Sequence, residues 1–451
     1  MSSVVAISQA GSAATTNWVE SAIAESTRRQ ARLKLSSAVK ARIEEACQVW
    51  GKLLFPTPKL ESWKYTNPEA IAQGPFCLGA GRGLDSESGK KSAQELLEKA
   101  TLAGLNESCR LVFVDGMYAE ALSTITTSDG IAVTRLADAA TGDGVQNIGM
   151  LGLHTEEPFA ALATALLSDA VCISVARGRE GSQPIHIIHL STPASEGSIS
   201  APRLLLQAAE SSRVVVVESH VGAAGVRYLS LPVAEIRAEA NAHVDYYKIQ
   251  SESTSAYHVS GTTVEQHRDA QVQTHIFSFG GALVRNNAQV LLKGSNTHAV
   301  LNGLSLLAGK QHVDNSTLIH HIEPSAESRE HFKGIYAGES RGVFSGTITV
   351  EKIAQKTNAF QSNQALLLSP DAGIESRPQL KIWADDVKCT HGATVGQLDP
   401  DAMFYLQSRG ISKEAAKAFL VHAFASEVLT SVQVTAVKEH VESLISNRLE
   451  Q

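Results

Sequence analysis

The chain lacks most features that mark secreted, membrane-spanning or nucleic-acid-binding proteins. Only 5 of its 451 residues are cysteine, and they are scattered without a CxxC pair or a zinc-like spacing, so no disulfide framework is predicted. Dispersed free thiols are typical of a reducing compartment. No apolar run is long enough to span a membrane. The formal net charge of −7 excludes the basic surface that a nucleic-acid binder needs.

Several catalytic signatures are absent as well. The sequence has no GxxxxGK[ST] motif, which excludes ATP hydrolysis by a P-loop, and it has neither a glycine-rich dinucleotide fingerprint nor a GxSxG nucleophile elbow. The N-terminus has no basic region leading into an apolar core, so it does not resemble a secretory signal. Its Ser- and Ala-rich start predicts a disordered tail. We therefore expect a cytoplasmic protein, with the plastid stroma as the open alternative.

What the chain does contain is ordinary globular composition, with 43% hydrophobic and 19% charged residues. Its length allows two or three structural units around a sizeable core. Helical periodicity between Trp18 and Leu54, strand-like texture after Arg110 and helical periodicity after Leu398 suggest three regions. We expect an N-terminal helical region with a disordered start over 1–110, a core over 111–397 and a C-terminal helical region over 398–451.

Short apolar runs of strand length dominate the core region. We predict strands at 171–175, 185–190, 203–208, 214–218, 234–238, 244–249, 272–277, 283–287, 288–293, 317–322, 343–350 and 365–368. Single Gly, Asn, Ser or His residues separate them more often than hairpin dipeptides do, and Thr, Ser, His and Asn are expected on the outward face. No long crossover helices intervene, which disfavours a doubly wound fold. This pattern favours a parallel β-helix, although no strict repeat period is visible.

The segment 382–410 carries the strongest chemical signal. Cys389 and His391 stand two residues apart, a spacing that places thiol and imidazole on one face of an extended strand. Gly392 and Gly396 permit tight corners, and Asp399 is placed to cap a helix that begins with a proline. A lone cysteine is most often a small buried hydrophobe, and a nearby histidine is most often structural. The spacing therefore indicates a metal or nucleophile site without establishing one.

Two motifs resemble a known family. The run DDVKCTHGATVGQLDPDAMFYLQSRGIS, which begins at Asp385, resembles the C-terminal hallmark of the SufB/SufD family, the scaffold proteins of the SUF iron–sulfur cluster assembly system. The run ESWKYT, which begins at Glu61, resembles an N-terminal segment of the SufD branch. The resemblance covers most of the chain. It implies a mainly β fold, with a right-handed parallel β-helix core flanked by N-terminal and C-terminal α-helical regions.

The same resemblance implies a function. It predicts a non-catalytic scaffold subunit that pairs with a SufB-type paralogue and docks a SufC-type ABC ATPase. A nascent iron–sulfur cluster would form at the junction of the two β-helices, transient and shared, with no permanent cofactor on this chain. By motif match His391 corresponds to the cluster-site histidine, and Cys389 is its near neighbour. The additional cysteines of SufB-type chains are missing, which places this chain on the SufD branch.

The C-terminal helices carry an apolar stripe. Leu420, Phe424 and Val428 recur every four residues in the second of three predicted helices. Part of this stripe is expected to pack against the end of the β-helix. The resemblance implies that the helical region also docks the ATPase, so we take these three residues as candidate partner contacts.

Two enzyme classes remain as rivals. A β-helix polysaccharide lyase or hydrolase would be expected to carry a secretory signal and a groove of carboxylates or arginines, and neither is apparent. A thiol enzyme built on Cys389 and His391 would need a third group to orient the base. We expect the remaining histidines of the second half to be structural, although a polynuclear metal site could be drawn from them. They are His258, His267, His275, His298, His312, His320, His321 and His331.

Overall fold

The computed structural model describes residues 17–33, 35–79, 81–105, 108–126, 130–138, 147–149, 151 and 157–449. Residues 1–16, at the start of the predicted disordered tail, lie outside the described residues. The chain is mainly β, with 40% strand and 27% helix, and its strands form a solenoid of about 8 turns with helices at both termini. The mainly β architecture with flanking helices that the sequence predicts is confirmed.

The strands alternate along the chain between two sheets. Sheet 1 contains β1 (Cys77–Leu78), β4 (Ile131–Arg135), β5 (Asp169–Val175), β7 (Ser198–Ser200), β8 (Pro202–Ala208), β10 (Leu229–Ser230), β11 (Val233–Ala238), β13 (Tyr257–Gln266), β15 (Leu283–Leu292), β17 (His312–His321), β19 (Arg341–Val350) and β21 (Gly373–Ile382). Sheet 2 contains β2 (Arg110–Val114), β3 (Met117–Tyr118), β6 (Ile185–Ser191), β9 (Arg213–Gly222), β12 (His243–Ser251), β14 (Gln271–Ser278), β16 (His298–Leu307), β18 (Glu327–Tyr336), β20 (Asn358–Leu367) and β22 (Lys388–Gly396).

Parallel pairing between successive turns gives the solenoid a regular register. Leu283 pairs with His312, His312 with Arg341 and Arg341 with Gly373, each time across one full turn. The two strands predicted at 283–287 and 288–293 are one strand, β15. Several strands escaped prediction, among them β13, β16 and β18, because polar residues or glycines interrupt the apolar alternation in each.

The corners follow a repeated backbone device. In six successive turns one residue between a sheet 1 strand and the next sheet 2 strand has a positive φ of 57 to 61°. These residues are Ser211, Asn241, Asp269, Asn296, Ser325 and Lys356. Asn and Asp tolerate the left-handed region better than most side chains do, because their short polar groups bond locally. The predicted corners of single small or polar residues are therefore present.

The interior of the solenoid is apolar in part and polar in part. Several Asn and Ser side chains lie inside the solenoid, whereas the sequence predicts such residues on the outward face. Asn286 donates to Ser278 Oγ across the two sheets at 3.2 Å and to Asn315 Oδ1 at 2.9 Å, and Ser260 donates to Asn286 Oδ1 at 3.1 Å. Buried amides are tolerated where their donors and acceptors are paired, and stacked turns provide that pairing.

The N-terminal region packs five helices against the first turns. They are α1 (Asn17–Gln30), α2 (Ser37–Leu53), α3 (Glu69–Ala72), α4 (Glu87–Ala100) and α5 (Pro158–Ala165). The helical pattern predicted from Trp18 to Leu54 is confirmed as two helices. At the start of α4, Ser86 is the N-cap and accepts a hydrogen bond from Gly89 N.

The ESWKYT segment fastens this region to the solenoid. Trp63 is fully buried, donates from Nε1 to Glu157 Oε1 at 3.1 Å, and has the guanidinium of Arg285 over its ring at 4.1 Å. Thr66 donates to Asp314 Oδ2 at 2.6 Å. The Trp63 ring therefore packs between the N-terminal region and the solenoid.

The C-terminal helices are α6 (Pro400–Ser408), α7 (Lys413–Leu429) and α8 (Thr435–Leu449). As predicted, Asp399 is the N-cap of α6. Ser412 is the N-cap of α7, and Gly410 separates the two helices at a φ of +86°. Helices α7 and α8 bury apolar residues against the outer face of sheet 2. None of the helices in the described part of the chain is both long enough and apolar enough to cross a lipid bilayer.

Candidate functional site

The solenoid ends in two strands that are each paired on one side. Within the described residues β21 pairs with β19 alone and β22 with β20 alone. A free strand edge exposes backbone donors and acceptors that can pair with another chain. In β22 the N–H of Lys388 donates to Thr357 O at 2.8 Å, and backbone groups alternate in direction along a strand. The N–H groups of Cys389 and His391 therefore point to the free side.

The other free edge is interrupted. The backbone N–H groups of Gly373 and Trp383 donate to Ser340 O and Val350 O, on the side of β19. Because the direction of these groups alternates along the strand, residues at an odd number of positions from these two point their backbone N–H away from β19. Pro378 is one of these residues, and its missing donor falls on the free side of β21. Of the two edges, β22 therefore offers the continuous one.

Cys389 and His391 share the inward face of β22. Cys389 pairs in register with Ala359 and His391 with Gln361, and both partners are buried in the solenoid. Cys389 is half-buried and packs against the apolar core, whereas His391 is exposed at the open last turn. Burial raises the pKa of the Cys389 thiol. The structure thus brings the two predicted site residues together at the mouth of the solenoid.

A buried polar pair lies one turn deeper than His391. The side-chain amide of Gln361 donates to Glu330 Oε2 at 2.7 Å, and both side chains are fully buried. Burial raises the pKa of Glu330 to about 7. Among the described residues Gln361 Oε1 has no hydrogen-bond partner, so an acceptor remains available beside His391. Sequence reasoning missed both residues, because only the register of the turns connects them with His391.

The surroundings leave room for a second chain. A Cβ atom added to Gly392 or Gly396 would meet nothing within 4 Å. Val395 is 53% exposed and Trp383 is 55% exposed, which gives the open end an apolar rim. Exposed apolar residues beside a free strand edge are typical of an interaction surface.

The C-terminal stripe lies mostly against the solenoid. Val428 is 1% exposed within the cluster that joins α7 to sheet 2, and Phe424 is half-buried with Lys333 Nζ over its ring at 4.1 Å. Leu420 is half-buried. The most exposed aromatic residues of the helical region, Phe404 and Phe419, lie on α6 and α7.

The other predicted histidines are dispersed rather than grouped. His267 and His320 pair with Glu265 and Glu351 at 2.9 and 2.8 Å, and His275 stacks on a tyrosine under the C-terminal helices. These contacts fit the structural role expected for them. A different group, His189, Glu218 and His220, does converge, and sequence reasoning did not find it. Its members stand on neighbouring strands. The number of residues in one turn of the solenoid determines that they meet, and the sequence does not show that number.

The open end carries two side chains of the kinds that ligate iron. Iron–sulfur clusters are usually held by four ligands, mostly thiolates, and imidazole is an attested substitute. Cys389 offers a thiol and His391 an imidazole, which is fewer than a cluster needs. Fold and site together define a parallel β-solenoid protein with a thiol and an imidazole on one face of its last strand.

Comparison with known proteins identifies the family. Residues 190–424 match the family described as "SUF system FeS cluster assembly, SufBD core domain", a range that includes β22 and its two candidate ligands. The chain therefore belongs to the SufB/SufD family of SUF iron–sulfur cluster assembly proteins, and its similarities place it with the SufD-type members.

The relatives support this assignment over most of the chain. Iron-sulfur cluster assembly protein SufD of Escherichia coli is 32% identical over 397 residues, which is 88% of this chain and 89% of that protein. An iron-sulfur cluster assembly SufBD family protein of Synechocystis is 29% identical over 89% of each chain. Protein ABCI7, chloroplastic, of Arabidopsis thaliana is 32% identical over 61% of each chain.

Proposed function

We propose that this chain is a scaffold subunit of a SUF complex, on which a nascent iron–sulfur cluster is built between two subunits. The observation that carries the proposal is the placement of Cys389 and His391 on one inward face at the open end of the solenoid. Two donors cannot complete the ligation of a cluster, so the remaining ligands come from a partner. The cluster is cargo of the site and leaves once assembled.

The partner at this end is a SufB-type paralogue. The free edge of β22 gives it backbone groups to pair with, and the glycines at positions 392 and 396 remove side chains that would hold it away. The exposed Val395 and Trp383 add apolar contact area. Pairing of two solenoid ends would bring this chain's thiol and imidazole next to the partner's ligands.

Within the site, His391 has the main role and Cys389 supports it. His391 is exposed, and neutral imidazole is a suitable ligand for iron. Cys389 is half-buried with a raised pKa, so it reaches the thiolate form only when a metal ion displaces its proton. The same raised pKa disfavours a thiol enzyme, whose nucleophile needs a lowered one.

The ATPase partner docks on the C-terminal helices. Leu420, Phe404 and Phe419 present apolar surface there, while Phe424 and Val428 hold α7 against sheet 2. ATP hydrolysis then takes place on the partner, and this chain is not itself an enzyme and keeps no permanent iron–sulfur cluster. We place the complex in the cytoplasm or in the stroma of a plastid.

Co-purification tests the paired-scaffold proposal. The full chain, expressed with the SufB-type paralogue and the SufC-type ATPase of its own source, should be recovered with both. Ala393→Pro removes a backbone donor from the free side of β22 and should abolish recovery of the paralogue while the ATPase still co-purifies. Ala393→Val keeps that donor and adds side-chain volume, so it serves as the matched control. Unchanged recovery with Ala393→Pro would contradict pairing through β22.

A further inference from the structure

A second group of metal-ligating side chains lies inside the solenoid, in turns far along the chain from the open end. His189 on β6 and His220 on β9 occupy paired positions of neighbouring strands, and Glu218 stands two residues before His220. His189 Nε2 lies 2.9 Å from Glu218 Oε1, and His220 Nε2 lies 3.2 Å from the same oxygen. One ligand atom from each of the three residues lies within 4.8 Å of the others.

The donor set and its spacing suit one transition-metal ion. Two imidazoles and one carboxylate form the set that holds iron(II) in many non-haem sites, and zinc accepts the same ligands. Bonds of about 2.0 to 2.2 Å to a shared ion place ligand atoms roughly 3 to 3.5 Å apart. The two distances to Glu218 are close to that range. The two imidazole rings stack with their centroids 4.5 Å apart, so at least one ring has to turn for both to point at one ion.

The ring nitrogens of the two imidazoles make fewer hydrogen bonds than they could. Among the described residues Nδ1 of His220 and Nδ1 of His189 have no hydrogen-bond partner, and the 3.2 Å approach of His220 Nε2 to Glu218 Oε1 is not a well-aligned hydrogen bond. The side chain of His220 is 1% exposed, and a buried polar atom without a partner is destabilising. A metal ion on Nε2 of His220 would replace its poorly aligned contact with a coordinate bond.

The local charge also favours a cation. Beside the group, His258 Nδ1 lies 2.6 Å from Glu252 Oε2, and Lys248 Nζ lies 2.8 Å from His258 Nε2. The carboxylates of Glu218 and Glu252 are buried in one cluster with the side chain of Lys248. Buried charge of one sign is expensive unless it is paired. A divalent cation at Glu218 supplies the opposite charge.

The surroundings orient the ligands and leave one side open. The Tyr246 hydroxyl donates to the second carboxylate oxygen of Glu218, the kind of contact that fixes a metal ligand. Glu218 and His220 are 4% and 1% exposed, whereas the His189 side chain is 13% exposed. His189 is therefore the ligand nearest to solvent and marks the entry side.

We propose that His189, Glu218 and His220 bind one divalent first-row transition-metal ion, of the Fe²⁺ or Zn²⁺ class, inside the solenoid. This site is separate from Cys389 and His391, and it does not depend on the proposed scaffold function. The ion would link two successive turns through their paired histidines.

Metal binding by the full chain tests the proposal. The protein carries Cys389→Ser and His391→Ala, so that the open end contributes no ligands, and it is stripped with a chelator, reloaded with the test metal ion and dialysed. We expect it to retain one equivalent of Zn²⁺ and to give a visible spectrum of imidazole-bound cobalt with Co²⁺, but to ignore Mg²⁺. Glu218→Gln or His220→Asn should abolish stoichiometric retention. Tyr246→Phe should weaken Zn²⁺ binding roughly 10-fold, as expected for a group that only orients a ligand.

His275→Gln is the matched control. His275 is also buried, and among the described residues neither of its ring nitrogens has a hydrogen-bond partner. It lies outside the group, so its loss should leave metal retention unchanged. Retention by Glu218→Gln equal to that of the control would overturn the proposal. Should the ligand variants fail to fold, the protein with only Cys389→Ser and His391→Ala is decisive. If that protein binds no Zn²⁺ and gives no cobalt spectrum, the proposal is overturned as well.

Discussion

Gln361 donates its side-chain amide to the buried carboxylate of Glu330 at 2.7 Å, one turn beneath the exposed His391. This hydrogen bond fixes the amide of Gln361, which pairs in register with His391. Among the described residues its carbonyl oxygen accepts no hydrogen bond. A histidine that binds a metal usually donates its other N–H to such an acceptor, which sets its tautomer and orientation. Gln361 is therefore suited to position His391 for iron.

Removal of this acceptor should weaken the site without dismantling the fold. We expect Gln361→Leu to lower iron retention by the assembled complex by roughly 10- to 100-fold, the range typical of lost outer-shell contacts. Asn363→Leu is the control, because Asn363 is buried two residues further along β20 and donates to Ser376 at 2.8 Å. Both variants should lose about 1 to 2 kcal/mol of stability. Equal iron retention in the two would show that Gln361 has only a structural role.

The same pair predicts a pH dependence of stability. Burial raises the pKa of Glu330 from 4.5 to about 7, so the folded chain keeps a proton that the unfolded chain releases. Stability linked to this group is complete below pH about 4.5 and declines as the pH rises to about 7, by on the order of 3 kcal/mol. Denaturant unfolding of the wild type and of Glu330→Gln between pH 4.5 and 8 measures the difference. A difference between them that stays constant with pH would show that Glu330 is not buried as an acid.

Exposure separates docking residues from packing residues in the C-terminal helices. Phe419 is 62% exposed, so Phe419→Glu should abolish ATPase binding and leave the melting temperature unchanged. Val428 is 1% exposed, so Val428→Ala should cost about 1 to 2 kcal/mol by leaving a cavity while the ATPase still binds. Pull-down and thermal unfolding of both variants test this pair. ATPase binding that survives Phe419→Glu would place the docking surface elsewhere.

Local chemistry was sufficient to predict much of the fold. Features that depend only on neighbouring residues can be predicted from the sequence. They include the N-caps Asp399 and Ser412, the corner residues such as Asn241 and Asn296, and most apolar strands. The shared face of Cys389 and His391 follows from strand geometry alone. The family resemblance rested on such local motifs.

Contacts between turns were not accessible in that way. Gln361 and Glu330 meet because β18 and β20 pair in register, and the strands of His189 and His220 do the same. The sequence has no repeat period from which this register could be predicted. Polar side chains inside the solenoid also depart from the apolar pattern on which strand prediction depends, which is why β13 was missed. The orientation of α7 could not be predicted either, because Val428 becomes buried only through its contact with sheet 2.

The central claim is that His391 holds iron at a shared interface, and one comparison tests it most directly. His391→Ala and Cys389→Ala are introduced into cells that depend on this system, and the activity of cluster-containing enzymes is measured beside the melting temperature of each purified complex. Because His391 is exposed, we expect its loss to abolish cluster maturation while leaving the melting temperature and complex assembly intact. Cys389→Ala should reduce activity less and lower stability slightly, since the thiol packs against the core. Normal enzyme activity with His391→Ala, or a loss that only follows a lowered melting temperature, would contradict the account.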